Sequence, residues 1–120
     1  MKRLVDEIKK HWKSLTWVIL TAITVLSLLP LNALPPAPGT DKIHHFIAYG
    51  MLILPVALRR PKNWIIWGLF FIAYSGAIEL IQPFVNRYGE WMDLLANSLG
   101  LLCGAIIARL INFLVSADTR

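Results

Sequence analysis

The stretch ELIQPFVNRYGEWMDLLANSLG, residues 79–100, decides the fold. It sets Glu79, Gln82, Arg87, Glu90, Asp93 and Asn97 between two strongly apolar segments. Pro83 closes the preceding helix, because its ring removes a backbone donor and clashes with the turn before it. Beyond the loop, Asp93, Asn97, Gly100 and Gly104 follow at i, i+4, i+7 and i+11. That spacing places all four on one face of the next helix. Small and polar residues on one face can be a helix-packing seam. Glu79, Arg87 and Asp93 add charges that a seam does not require, and ionisable groups at the edge of a bilayer mark a functional site by default.

The rest of the chain agrees with a membrane setting. Of its 120 residues, 57% are hydrophobic and 16% charged, with a mean hydropathy of +0.59. An ordinary soluble domain carries about 45–50% apolar and about 25% charged residues. The length leaves room for a single domain, 1–120. Cys103 is the lone cysteine, so neither a disulfide framework nor a cysteine metal site can form. The formal net charge of +5 does not point to nucleic acid, because the cations sit in short segments flanking the apolar runs.

Four helices are expected, at about 14–31, 41–58, 64–82 and 91–115. The first follows a basic segment, Met1 to Lys13, and is read as an uncleaved anchor. No A-x-A cleavage site follows it, and Pro35, Pro36 and Pro38 crowd the position where a peptidase would act. Residues 32–40 read as a Pro- and Gly-rich loop, with Asp41 capping the second helix. Arg59, Arg60, Pro61 and Lys62 end that helix, and Trp64 and Trp67 anchor the third at the same interface. With four spans and short loops, ten of the twelve Lys and Arg fall on one side, leaving Lys42 and Arg87 on the other. The positive-inside rule makes the Lys- and Arg-rich side cytoplasmic, with both termini inside. The expected fold class is therefore all-α, a polytopic membrane protein with four transmembrane helices.

The outward end gathers the candidate chemistry. Asp41, His45 and Tyr49 recur every four residues and descend as one stripe, about 6 Å per step. Ser75, Glu79 and Gln82 share a face of the third helix, and Asp93 and Asn97 a face of the fourth. His45, Glu79, Asp93, Asp41 and Tyr49 are candidates for general acid and base work. Lys42, Arg87, Gln82 and Asn97 are candidates for binding, Arg87 as a bidentate partner for an anionic group. No metal or other cofactor is expected: the adjacent His44 and His45 point about 100° apart on a helix and cannot easily share an ion. A charge network that only locks helices together is the competing reading.

These positions resemble the VanZ-like family. Its pattern is Asp-Lys-x-x-His-Phe near a second span, Glu-x-x-Gln before a loop Arg, then Asp-x-x-x-Asn-x-x-Gly. Asp41, Lys42, His45, Phe46, Glu79, Gln82, Arg87, Asp93, Asn97 and Gly100 match it, and Tyr49 stands where the family tends to carry Tyr. The match runs from Asp41 to Gly104, about half of the chain, while His44 lies outside the motif. The resemblance implies a multi-pass protein of the bacterial inner membrane. It also implies a link to reduced susceptibility to the glycopeptide teicoplanin, without a defined reaction.

Three functional classes follow. The first is an outward-facing site that acts on or binds a lipid-linked or amphiphilic ligand, teicoplanin being itself acylated. The second is a scaffold subunit of an envelope complex. The third is a small proton-coupled transporter with Glu79 titrating, although no continuous relay of charges reaches the inner half. The sequence leaves catalysis and binding open, as it does the oligomeric state.

Overall fold

The computed structural model describes residues 2–28, 41–85 and 91–118, and among them all regular structure is helical. Five α-helices follow in order: α1 (Lys2–Lys10), α2 (Trp12–Leu28), α3 (Asp41–Arg59), α4 (Trp64–Ile81) and α5 (Trp91–Asp118). A 3₁₀ turn, Gln82–Val85, extends α4 around Pro83. The expected loop at residues 32–40 lies outside the described residues, as does the 86–90 part of the loop expected from Pro83 to Glu90.

Two helices, Trp64–Ile81 and Met92–Ser116, are long and apolar enough to cross a membrane, and α1 with α2 would make a third span if counted together. Four spans are thus not all established by length and composition. Within α3, Ile43–Arg59 is a shorter apolar helix. The outer surface of the bundle is apolar: Ile66, Leu69, Ile106, Leu110 and Phe113 are each more than half exposed. Such a surface suits hydrocarbon and would be a liability in water.

The directions of the helices follow from contacts at constant sequence offset. α3 and α5 form the central pair. A Cβ on Gly100 would run into Phe46 O, one on Gly104 would meet Gly50 O, and Asn112 Nδ2 donates to Leu58 O at 3.1 Å. Each pair is separated by the same 54 positions (100 − 46, 104 − 50, 112 − 58), so α3 and α5 run parallel. α2 and α4 also run parallel, since Thr24 meets Tyr74 and Trp17 meets Trp67, both at an offset of 50 (74 − 24, 67 − 17). The short connection at 60–63 reverses the chain between α3 and α4. Arg60 closes α3 in the left-handed region, φ 53°, with its N–H on Val56 O at 2.8 Å, and Pro61 prevents the helix from continuing. One end of the bundle therefore holds the starts of α3 and α5 with the ends of α2 and α4. Arg59, Arg60 and Lys62 lie at the other.

Glycine makes the central pair possible. Gly100 and Gly104 stand where the α3 backbone comes closest, and small residues at that spacing let two helices approach within contact of their main chains. Around this pair, Tyr49, Leu52, Val56, Phe71 and Ala108 are buried. An aromatic seam joins α2 to α4, with Trp12 and Trp67 edge to face at 5.6 Å.

The basic N-terminal segment differs from the flank expected of it. It forms a separate helix, α1, turned by 78° from α2. Val5 is buried, and Ile8 and Trp12 pack against the core, while Lys2, Arg3 and Lys10 face outward. Val5 and Ile8 stand three apart on one face of α1, a short apolar strip on a largely charged helix, and Trp12 joins the core from the start of α2. α2 accordingly begins at Trp12.

Candidate functional site

The end of the bundle where α3 and α5 start carries a buried polar cluster drawn from three helices. His45 Nε2 of α3 lies 3.8 Å from Asp93 Oδ2 of α5, with their side chains 14% and 8% exposed. One turn deeper on α5, Asn97 Nδ2 donates to Ser75 Oγ of α4 at 2.5 Å. Tyr49, one turn below His45, is buried beside the same serine, with Glu79 close enough for its charge to bear on the Tyr49 hydroxyl. Tyr49 and Asn97 are each 1% exposed.

Local sequence explains this convergence. Positions four apart on a helix lie on one face, so His45 and Tyr49 descend together on α3, Ser75 and Glu79 on α4, and Asp93 and Asn97 on α5. The close approach at Gly100 and Gly104 draws α3 against α5 just below. That approach brings the first two of these stripes within reach of the third. Buried polar atoms need partners, and Ser75 supplies one to Asn97. It belongs to the stripe with Glu79 and Gln82, yet its hydroxyl alone gave no reason to rank it with the charged candidates.

Gln82 engages a different helix. Gln82 is 1% exposed, and its Nε2 donates to Ser27 O of α2 at 3.1 Å. It ties the fourth helix to the bundle, and its Oε1 has no hydrogen-bond partner among the described residues. The Asn97 Oδ1 is likewise buried without one. His44 is exposed on α3. Arg87 and the side chains of Asp41 and Lys42 lie outside the described residues.

The arrangement has definite chemical capacity. A histidine held beside a carboxylate is a pairing suited to general acid and base work. Tyr49 and Ser75 add hydroxyls that can donate or accept, and the amide oxygens of Asn97 and Gln82 accept only. Among the described residues no group of three His, Cys, Asp or Glu side chains is gathered as a metal site would require.

The family model described as VanZ/LLP1 covers residues 3–112. No curated protein and no solved structure matches the chain.

Proposed function

The chain belongs to the VanZ/LLP1 family, and from that premise we propose that it is a bacterial inner-membrane protein whose polar cluster acts on or binds a lipid-linked or amphiphilic ligand at the outer leaflet. The observation that carries this reading is the meeting of His45, Asp93, Tyr49, Ser75 and Asn97 from three helices at one end of an apolar bundle. Polar groups in such surroundings are expensive, and a histidine beside a carboxylate offers acid and base chemistry that a packing seam does not need.

In this reading α2, α3, α4 and α5 each cross the membrane, with both termini cytoplasmic. The alternating helix directions support it, as does the charge at Arg59, Arg60 and Lys62 opposite the polar cluster. α3 spans 19 residues, about 28 Å at 1.5 Å per residue, close to the hydrocarbon thickness of about 30 Å. The cluster then lies near the outer water boundary. An amphiphile can present its headgroup there and keep its chain in lipid, as an acylated glycopeptide such as teicoplanin could. The family's link to teicoplanin susceptibility enters the proposal on this physical ground.

Untargeted lipidomics of cells lacking and overexpressing the protein tests the reading. A lipid or lipid-linked species should change between the two strains, return with the wild-type protein and stay altered with His45→Gln. An unchanged profile with unchanged teicoplanin susceptibility would refute it in favour of a scaffold role.

A further inference from the structure

The opposite end of the bundle holds a cavity of about 380 Å³ between α1 and the end of α3, lined by Asp6, Lys9, Lys10, Trp12 and Arg59. We propose that it is a binding site for the phosphate headgroup of an anionic membrane lipid. The inference is independent of the function assigned to the polar cluster: Arg59 and His45 are 14 residues apart on α3, about 21 Å along the helix.

Three cations and one carboxylate line the cavity, a local excess of two positive charges. Among the described residues none of these cations forms an ion pair within 4 Å, so their charge is available to a ligand. Lys9 and Lys10 close α1, whose 78° turn from α2 lays it across the end of the bundle. Arg59 reaches the same space from the last turn of α3. Trp12 forms the wall and is fixed edge to face against Trp67 at 5.6 Å. Tryptophan prefers the depth of lipid headgroups.

The chemistry selects the occupant. Lysine and arginine grip a phosphate oxygen, arginine through two parallel hydrogen bonds. A basic amphipathic helix lying in the interface meets anionic phosphates at that depth. Asp6 supplies an acceptor for a hydroxyl of the headgroup, as a phosphatidylglycerol carries. The net positive lining favours such a lipid over a zwitterionic one. Inorganic phosphate shares the recognised group but lacks the chain that would hold it at this boundary.

The test is native mass spectrometry of the full chain released from micelles doped with phosphatidylglycerol or phosphatidylcholine. The wild type should retain phosphatidylglycerol preferentially. A triple change of Lys9, Lys10 and Arg59 to Gln should weaken that retention about a hundredfold, near fivefold for each cation at a membrane surface. Lys62→Gln, a cation outside the cavity, should leave it within about twofold. Melting curves of the triple variant should match the wild type, since these side chains are not in the core. Equal retention of both lipids would overturn the proposal, as would an unchanged preference in the triple variant. Binding of inorganic phosphate as tight as that of the lipid would overturn the lipid assignment.

Discussion

Replacing Gly104 with Ala should destabilise the bundle, although the same change stabilises most helices. A Cβ at this position would sit 2.5 Å from Gly50 O and 2.5 Å from Ile53 Cγ2, whereas ordinary contact begins near 3.4 Å. The shortfall of 0.9 Å (3.4 − 2.5) is partly against main chain, so no side-chain rotation can relieve it. α3 and α5 must part, loosening the contact repeated at Phe46 with Gly100 and at Leu58 with Asn112. Overpacking of this kind costs about 1–3 kcal/mol, against a gain of at most about 1 kcal/mol from helix propensity. The net loss should reach up to about 2 kcal/mol by that subtraction. Gly68 and Gly76 provide the contrast: a Cβ on either meets nothing within 4 Å. Gly68→Ala and Gly76→Ala should therefore stabilise by about 0.5–1 kcal/mol. Gly50→Ala, facing only Gly100 O at 3.3 Å, should fall between the two groups. Unfolding by denaturing detergent titrated into mild micelles measures all four variants on one scale. Gly104→Ala as stable as Gly76→Ala would refute the close-approach argument.

Two further outcomes are expected. Ser75→Ala should cost about 1–3 kcal/mol, because Asn97 would keep a buried amide donor with nothing to receive it. Tyr74→Phe, which loses one bond to Thr24 at a partly exposed site, should cost about 0.5–1.5 kcal/mol; the reverse order in the same titration would place the buried network elsewhere. In a Cys103→Ala background, Thr40→Cys and Asn86→Cys should react with an impermeant thiol reagent added to intact cells. Lys62→Cys should not react until the membrane is opened, and its labelling from outside would invert the orientation.

The residues themselves show what the sequence could reveal. The all-helical class was legible because the apolar runs are long and end at Pro61, Pro83 and charged clusters. The shared face of Asp93, Asn97, Gly100 and Gly104 was legible too, being fixed by helical period alone. Its partners were not: the period does not say that the glycines meet Phe46 and Gly50 on α3 while Asn97 turns to Ser75 on α4. Gln82 shows the same limit. It shares a stripe with Glu79, but the 3₁₀ turn at Pro83 carries its amide to Ser27 O. α1 was hidden for a different reason. Its four cations, with Lys13 beyond it, read as the flank of a span, and they obscured the Val5 and Ile8 pair that folds it back onto the core.

Under the proposed function the polar cluster handles a ligand and does more than hold helices together. Glu79→Gln, Asp93→Asn and His45→Gln keep shape and most hydrogen bonds while removing charge. Deleting one partner of a buried pair costs about 3–5 kcal/mol, so Asp93→Ala serves as the structural control and should reduce accumulation in the membrane. The direct measurement is the accumulation and teicoplanin susceptibility of each isosteric variant, in a strain sensitised by loss of the wild-type protein. Normal accumulation with activity abolished is expected; full activity in all three variants at normal accumulation would leave the cluster a purely structural network.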